Sequence, residues 1–263
     1  MKNNGSDKQI QLVLPMAGRG TRFKESGYKI TKPLLPVHGI PMFKIVLANL
    51  LSEHVKKVVI ISQVELNLKS QIEEIQKNIE IEFNLIEIDY TTEGPASTVK
   101  LAKQFIDLDL PVVTANTDQY LNTEIDNFYD DLIHNSLSGS ILTMEDNDPK
   151  WSFVKLDNKG KVMDVQEKQV ISKFATVGIY GFKKGKLLFD SIEKMVNEEN
   201  KVNGEYYIAP LYNYLIKEGH RINSLFTGTV NEIMFGMGIP EDYEEFILSP
   251  VSRKAALNAA YFQ

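Results

Sequence analysis

A short apolar strand that runs directly into a glycine-rich, basic loop constrains this chain more than any other feature. Residues 10–14 form the kind of apolar run that is buried inside a sheet, and Gly18, Arg19 and Gly20 follow almost at once. Glycines placed after a buried strand let the main chain turn sharply and leave N–H groups pointing outward, where they can bind polyanions. Arg22 and Lys32 add cationic groups nearby, so the stretch predicts a phosphate-binding loop.

The loop differs from two familiar phosphate-binding motifs. A Walker A loop, GxxxxGK[ST], is absent because Lys32 lies far from the glycines and Pro33 follows it. The dinucleotide fingerprint GxGxxG is also absent, since Phe23 takes the place of the third glycine. An isolated Gly-x-Gly is usually a solvated turn, but the buried strand before this one and the cations after it favour phosphate binding.

Strands and helices alternate along most of the chain. Predicted strands cover residues 10–15, 58–61, 83–88 and 110–115, and predicted helices begin at residue 41, cover 65–78, and run from 95 to about 105. Residues 151–165 read as a small β-hairpin insertion. This order predicts an α/β fold with a Rossmann-like, mostly parallel mixed sheet and helices on both faces.

One domain is expected over residues 9–249, because 263 residues can bury a sizeable core and no linker interrupts them. Residues 1–8 are polar and predict a flexible tail. Residues 250–263 are polar and small, and they predict a C-terminal tail without a functional role, whose native origin the sequence leaves open.

The composition argues against several classes of function. A formal net charge of −6 argues against nucleic-acid binding, which requires a basic surface. The chain has no cysteine, which excludes thiol catalysis, and its 4 histidines are scattered without zinc-site spacing. No apolar run is long enough for a membrane span, and the polar N-terminus lacks the apolar segment of a signal peptide. We therefore expect a reduced, cytoplasmic protein without a membrane partner.

A carboxylate follows the fourth predicted strand. Residues 110–115 lead into Asn116, Thr117 and Asp118, and an acidic residue at the carboxyl end of a parallel strand lies where open α/β sheets bind ligands. Carboxylate oxygens suit Mg²⁺, which usually keeps phosphate oxygens among its ligands. A helix cap before Glu124 is the alternative, but the upstream phosphate loop favours the metal role for Asp118.

Three segments together resemble the signature of the sugar-phosphate nucleotidyltransferases, or pyrophosphorylases. Residues 15–23 read PMAGRGTRF, residues 31–34 read TKPL and residues 39–42 read GIPM, and the resemblance extends over residues 10–248. It implies transfer of a nucleotidyl group from a nucleoside triphosphate to a phosphorylated acceptor, with Mg²⁺ as cofactor and release of pyrophosphate.

The resemblance also implies roles for individual residues. Arg22 would bind the leaving β- and γ-phosphates, Lys32 the α-phosphate region, Asp118 the metal and Lys168 the acceptor phosphate. Further nucleotide contacts would come from Ala17, Gly18, Arg19, Gly20, Thr21, Gly94 and Ala96. Acceptor contacts would come from Glu167, Gly178 and Glu205. Structural interpretations without a binding role are also open: a routine strand–helix turn at Gly94, a solvated charge pair at 167–168 and a helix cap at Glu205.

The chain departs from the family pattern at three places. Thr117 precedes Asp118 where a glycine is usual, and Gln169 follows Lys168 where a proline is usual. Gly236 occupies the position at which most relatives carry a second metal-binding aspartate. Glu232 or another carboxylate could replace that aspartate, or Asp118, phosphates and water could suffice. Asp242, in a Pro-Glu-Asp helix start, is interpreted as a first-turn residue rather than a ligand.

The sequence leaves the substrates open. A sugar 1-phosphate is the default acceptor, with a product that feeds surface polysaccharide synthesis, and the nucleotide could be CTP, UTP, dTTP or GTP. Some short relatives instead use CTP with phosphocholine or a phospho-amino acid such as phosphoglutamine, for capsule or cell-surface modification. An inactive nucleotide-binding regulator is a further alternative, and a homodimer is compatible with the sequence. A glycosyltransferase would need Asp-x-Asp after a strand, whereas residues 107–109 precede one.

Overall fold

The structure, a computed structural model, describes residues 9–262, so the predicted tail at residues 1–8 lies outside the described part. The strands, in chain order, are β1 (Ile10–Met16), β2 (Pro36–Val37), β3 (Ile40–Pro41), β4 (Val55–Gln63), β5 (Glu82–Ile88), β6 (Val112–Ala115), β7 (Gln119–Leu121), β8 (Gly139–Glu145), β9 (Ser152–Leu156), β10 (Val162–Glu167), β11 (Phe174–Phe182), β12 (Ile222–Thr229) and β13 (Met234–Gly236).

The helices alternate with these strands. In chain order they are α1 (Thr21–Glu25), α2 (Met42–Leu50), α3 (Lys69–Asn78), α4 (Pro95–Lys100), α5 (Asp126–His134), α6 (Gly185–Asn197), α7 (Leu211–Lys217), α8 (Pro240–Leu248) and α9 (Pro250–Ala259). Short 3₁₀ turns cover Lys32–Leu34, Val64–Leu66, Lys103–Phe105 and Ala260–Phe262. None of the helices in residues 9–262 has the length and apolar character needed to cross a membrane.

Within residues 9–262, the central sheet is mixed and contains nine strands. Strands β5, β4, β1 and β6 lie side by side and are parallel. Strand β11 runs antiparallel to them and pairs with β8 along one edge, and β8 pairs in parallel with β12. Along its other edge β11 pairs first with β9 at Ala175 and then with β6 from Ile179 onward. The predicted mostly parallel α/β sheet is confirmed, and the predicted hairpin is β9–β10.

Helices cover both faces of this sheet because its strands are apolar on both sides. In β1, Leu12 and Leu14 pack into a core cluster with α2, α5 and α9, whereas Val13 packs into a second cluster with α4, α6 and α7. All three side chains are almost completely buried. Strands buried on both faces are typical of parallel sheets between helical layers.

Two predicted helices are shorter than expected. The helix predicted over 65–78 is divided by Asn67, whose φ of 47° lies in the left-handed region and interrupts the helical path. The helix predicted from residue 95 to about 105 ends at Lys100, because the amides of Leu101 and Ala102 bond three residues back rather than four.

The segment after Ser249 corrects the expectation of a C-terminal tail. Ser249 caps α9 by accepting a hydrogen bond from the Ser252 amide, and a proline at the first helical position favours the start. The carbonyl of Phe262 accepts a bond of 2.7 Å from the buried ammonium of Lys44, and the Phe262 ring is fully buried. The polar and small composition of residues 250–263 did not reveal these contacts with α2, a helix more than two hundred residues earlier in the chain.

Candidate active site

A cleft opens where β1 and β6 end and where β11 passes from β9 to β6. Its volume is about 500 Å³, which is within the range of small-molecule sites. Its walls come from the loop after β1, residues 116–119 after β6, the β9–β10 hairpin and residues 236–242 before and within α8. Ligands of open α/β sheets bind outside the carboxyl ends of the strands, as this cleft would allow.

Positive charge is concentrated in this cleft. In the part of the chain that the structure describes, four cationic side chains line it, against three carboxylates: Arg22, Lys32, Lys150 and Lys168, against Asp118, Glu167 and Asp242. The whole chain has a formal charge of −6. A local excess of cations on an acidic protein favours a polyanionic ligand at that place.

The loop after β1 contributes one wall. Gly18 and Arg22 line the cleft, and Gly20 has a left-handed φ of 60° where α1 begins. Arg19 lines a smaller adjoining hollow of about 100 Å³, which also includes Gly18 and Lys32.

Three other residues of this loop line neither hollow, and Gly20 is one of them. Ala17 is buried, and its carbonyl accepts a bond of 2.8 Å from the Gln63 side-chain amide. Thr21 is exposed at the start of α1. Among the predicted nucleotide contacts of this loop, the structure therefore places Gly18 in the cleft and Arg19 beside it.

Lys32 and Asp118 meet in the cleft. The Nζ atom of Lys32 donates a hydrogen bond of 2.8 Å to Oδ2 of Asp118, although 86 positions separate them. Lys32 begins a 3₁₀ turn and Asp118 follows β6. The two side chains are 18% and 29% exposed, so a ligand in the cleft can reach both. The structure thus brings Arg22, Lys32 and Asp118 into one cavity.

A second carboxylate in the cleft comes from Asp242, not from Glu232. Glu232 lies exposed between β12 and β13, accepts a hydrogen bond from the Thr229 hydroxyl, and does not line the cleft. Asp242 does line it, and its Oδ2 lies 3.5 Å from Nζ of Lys150. Asp242 lies in the first turn of α8, as its sequence position suggested, and from there it also lines the cleft.

These carboxylates fit a Mg²⁺ ion bound together with a substrate. Within residues 9–262 no group of three or more His, Cys, Asp or Glu side chains could hold a metal alone. Mg²⁺, however, usually takes one or two protein carboxylates and completes its octahedron with phosphate oxygens and water. Asp118 and Asp242 provide this kind of oxygen donor in a cleft that is also lined by cationic side chains.

The side of the cleft that was predicted to bind the acceptor is built around Lys168, which directly follows β10. Its Nζ donates to the Tyr207 hydroxyl at 2.6 Å and lies 4.6 Å from the centre of that ring. The Tyr207 hydroxyl in turn donates to Oε2 of Glu205 at 2.5 Å. Burial and this bond to Glu205 raise the pKa of the Tyr207 phenol, so it stays protonated. Glu205 does not line the cleft and acts on Lys168 through Tyr207.

Glu167 lines the cleft beside Lys168. The Ser152 hydroxyl donates a short hydrogen bond to its carboxylate. Burial raises the pKa of Glu167, and the Ser152 bond and the charge of Lys168 act in the opposite direction. A half-desolvated carboxylate of this kind is a strong acceptor for the hydroxyl groups of a ligand.

Two side-chain amides form the floor next to Gly178. Gly178 has a φ of 74°, and a Cβ there would lie 2.7 Å from Oε1 of Gln119 and closer still to the Asn116 amide. Gln119 is only 5% exposed, and its Nε2 has no hydrogen-bond partner among the described residues. This buried donor lines the cleft, so it is available to an oxygen atom of a ligand.

Gly94 and Ala96 lie beside the cleft rather than in its wall. A Cβ on Gly94 would lie 2.7 Å from the backbone of Tyr206, and Ala96 is fully buried with its amide bonded to the Tyr206 carbonyl. Pro95, between them, does line the cleft. The two small residues therefore fit α4 closely against the segment that carries Tyr207.

Sequence reasoning assigned no role to several side chains in this cleft: Asn116, Gln119, Lys150, Trp151, Tyr207 and Asp242. A signal existed for Asn116 and Gln119, because they flank the predicted metal ligand in the same loop. Lys150 and Trp151 come directly before the predicted hairpin, but charge and aromatic character at that point are common in loops. Nothing local distinguishes Tyr207, whose role depends on contacts across the fold.

Comparisons with known proteins agree with this geometry. A model of the family "Nucleotidyl transferase" matches residues 12–226. The chain is 28% identical over 227 residues to the bifunctional protein GlmU of Methanococcus aeolicus, covering 85% of this chain and 51% of that protein. The chain is 26% identical over 246 residues to the bifunctional protein GlmU of Bacillus subtilis, covering 87% of this chain and 49% of that protein. The chain thus spans about half the length of these relatives.

Solved structures share the fold. A nucleoside-diphosphate-sugar pyrophosphorylase from Vibrio cholerae superposes with a TM-score of 0.74 at 25% identity, covering 90% of this chain and 100% of that one. The inositol-1-phosphate CTP transferase from T. maritima has a TM-score of 0.72 at 12% identity, with 97% of each chain covered. At that identity the second match shows the fold alone.

Proposed function

Because the chain belongs to the nucleotidyl transferase family, we propose that it transfers a nucleotidyl group from a nucleoside triphosphate to a phosphorylated acceptor and releases pyrophosphate. The proposed acceptor is a sugar 1-phosphate, and the product is a nucleoside-diphosphate sugar. Such a product is an activated building block for surface polysaccharide. Since nucleoside triphosphates are held inside cells, we assign the reaction to the cytoplasm.

The observation that carries this proposal is the meeting of Arg22, Lys32 and Asp118 in one cleft. These residues come from the loop after β1, the 3₁₀ turn that follows it and the end of β6. If they served separate structural purposes, nothing would require them to share a cavity that also contains Lys150 and Lys168.

In the proposed reaction, an oxygen of the acceptor phosphate forms a bond to the α-phosphorus. The bond from that phosphorus to the bridging oxygen of pyrophosphate breaks on the opposite side. The attacking oxygen is already an anion, so no general base is needed, and catalysis consists of positioning and neutralising phosphates. Arg22 would bind the leaving β- and γ-phosphates, Lys32 the α-phosphate and Lys168 the acceptor phosphate.

Asp118 would hold Mg²⁺ in this reaction. When bound, the ion neutralises charge on the phosphate oxygens that it contacts. In the structure Asp118 is paired with Lys32. Substrate phosphates would compete for that ammonium and leave the carboxylate available for the metal.

The experiment that tests this function measures pyrophosphate release from ATP, CTP, GTP and UTP or dTTP. Each nucleotide is combined with glucose 1-phosphate, N-acetylglucosamine 1-phosphate, phosphocholine or a phospho-amino acid, with and without Mg²⁺. We expect Mg²⁺-dependent release with one nucleotide and a sugar 1-phosphate. Release only with CTP and a non-sugar phosphate would redirect the acceptor assignment, and no release from any pair would indicate a nucleotide-binding protein without this activity.

A further inference from the structure

We infer that Asp242, at the start of α8, supplies the second metal-binding carboxylate of the cleft, at the place where residue 236 has no side chain. The inference rests on the proposed function, because it concerns the Mg²⁺ ion of that reaction. It concerns this chain in particular, since Gly236 leaves its own position without a carboxylate.

The glycines at 236 and 238 are explained by the space that two carboxylates occupy. A Cβ on Gly236 would lie 3.1 Å from Oδ2 of Asp242, and a Cβ on Gly238 would lie 3.0 Å from Oδ2 of Asp118. Neither glycine is among the residues with positive φ. Their backbone conformation therefore does not require glycine, whereas a side chain at either position would require the nearby carboxylate to move by a few tenths of an ångström.

The same contacts place the two carboxylates against one short segment of chain. Residues 236 and 238 are two positions apart, which in an extended segment puts them on one side and about 7 Å from each other. The amide of Met237, between them, donates a bond of 2.7 Å to the Asp118 carbonyl and fixes the segment beside that residue. Both carboxylates therefore face the same short segment, from which we expect both to reach one ion.

Each carboxylate is paired with a lysine. Asp118 bonds to Lys32 at 2.8 Å, and Asp242 lies 3.5 Å from Nζ of Lys150, which also lies 4.8 Å from the centre of the Trp151 ring. Both lysines line the cleft. A metal–phosphate complex would satisfy both kinds of group at once, with the cation on the carboxylates and the phosphate oxygens on the ammonium groups.

A separate observation indicates that an oxygen-bearing ligand binds at this place. Gln119 pairs with Gly236 in the β7–β13 ladder. Its Nε2 atom is buried in the cleft without a partner in residues 9–262. A buried amide donor opposite the glycine segment needs an acceptor oxygen, which a phosphate or a metal-bound water would supply.

The test measures binding of Mn²⁺ to the full chain, with Mn²⁺ replacing Mg²⁺ because free Mn²⁺ can be counted by electron paramagnetic resonance. Titrations are made with and without pyrophosphate, which needs no choice of nucleotide base. Trp151 is the chain's single tryptophan and lines the cleft, so quenching of its fluorescence reports whether the ion binds there.

Asp242→Asn removes the charge with little change of shape, and we expect it to weaken Mn²⁺ binding at least about tenfold, the lower range seen when groups around a metal are altered. Glu241→Gln is the matched control, because Glu241 is exposed in the same first turn of α8 and does not line the cleft. It should bind Mn²⁺ as the parent does. Equal Mn²⁺ binding by the Asp242→Asn variant and the parent would overturn the inference.

A rescue experiment tests whether a carboxylate at residue 236 can replace the one at residue 242. Asp242→Ala should lose Mn²⁺ binding, and adding Gly236→Asp in that background should restore most of it, because the vacated space receives the carboxylate from the neighbouring segment. Failure of the rescue would overturn the claim that residues 236 and 242 serve one site. No binding by the parent protein, even with pyrophosphate, would also overturn it.

Pyrophosphate release separates this inference from the proposed function. Normal release together with unchanged Mn²⁺ binding in the Asp242→Asn variant would refute the inference and leave the reaction standing. Loss of Mn²⁺ binding in that variant and in Asp118→Asn, without pyrophosphate release by the parent from any substrate pair, would refute the reaction and leave the metal site standing.

Discussion

Lys32 and Asp118 are the two residues whose contact most directly joins the first loop to the middle of the chain. Both side chains are partly exposed, so the pair itself contributes little to the free energy of unfolding. Its importance lies in placing one cation and one carboxylate where the α-phosphate of a nucleotide would bind. The consequences of removing either residue should therefore appear in catalysis and hardly in stability.

We predict that Lys32→Ala and Asp118→Ala each reduce the rate of pyrophosphate release by roughly a hundredfold or more, the usual cost of removing a group that stabilises charge in a transition state. Lys29→Ala is a suitable control, since Lys29 is an exposed lysine that does not line the cleft. Circular dichroism should show the fold of all three variants intact. Full activity in both cleft variants would exclude them from the reaction.

The raised pKa of Glu167 predicts that the free energy of unfolding depends on pH. Burial raises its pKa above the ordinary value of 4.5 in the folded state, so its ionisation opposes folding. The stabilising contribution of the neutral Glu167 carboxyl group is fully present below pH 4.5, and it is lost as the pH rises through the folded-state pKa. Glu167→Gln stays neutral, so its melting temperature relative to the parent should rise from pH 4.5 towards pH 7.

Glu241→Gln is the control for this measurement, because that side chain is exposed. A difference in melting temperature between Glu167→Gln and the parent that stays constant with pH, or that falls as the pH rises, would show that burial does not govern this carboxylate.

At the scale of secondary-structure elements, the approach of α4 to residues 205–207 positions the side of the cleft that contains Tyr207 and Lys168. The Tyr206 amide donates to the Glu93 carbonyl at 2.7 Å, and the Ala96 amide donates to the Tyr206 carbonyl at 2.9 Å. Gly94, with a φ of 114°, lets the two segments come this close. Tyr207, the next residue, then contacts Lys168.

Gly94→Ala should therefore destabilise the protein by about 2 kcal/mol or more, because its Cβ would meet the Tyr206 backbone in a conformation that alanine rarely adopts. Gly204 also has a positive φ, but a Cβ at that position would meet nothing within 4 Å. Gly204→Ala should therefore cost only the backbone strain of about 1 kcal/mol. Urea unfolding measures both, and equal losses would contradict the close packing. Gly94→Ala should also raise KM for the acceptor.

The packing of α9 and of the 3₁₀ turn that follows it leads to a second prediction at this scale. Phe262→Ala should cost about 3 kcal/mol of unfolding free energy, since the ring is fully buried in the core next to α2 and α3. Leu257→Ala, in α9 just before the 3₁₀ turn that contains Phe262, is the control, because the Leu257 side chain is 76% exposed, and its cost should stay within about 0.5 kcal/mol. A neutral Phe262→Ala variant would mean that these last residues do not belong to the fold.

The order of elements could be predicted from the sequence because each strand and helix has its own pattern. The apolar run of β1 and the turn residues of the β9–β10 hairpin are local signals. The packing of α9 and of the 3₁₀ turn after it depends instead on distant partners, such as Lys44 for Phe262. Local patterns do not contain that information, so the sequence predicts a tail where the structure has a packed helix.

At the scale of the whole molecule, the cleft combines groups from widely separated parts of the chain. Residues 18–32 and Asp118 carry recognisable motifs, and their placement in one cavity could be anticipated from the rule for open α/β sheets. Lys150 and Asp242 could not, because their proximity to each other arises only when α8 packs beside the hairpin. The choice of nucleotide base has no such motif and requires measurement.

The most direct test of the central claim is a crystal structure of the protein with a nucleoside triphosphate analogue that cannot be cleaved between the α- and β-phosphates. We expect one triphosphate in the cleft, with Arg22 and Lys32 within hydrogen-bond distance of its phosphate oxygens and Asp118 facing the α-phosphate. A triphosphate bound elsewhere, or bound in the cleft without contact to Arg22 and Lys32, would contradict the account.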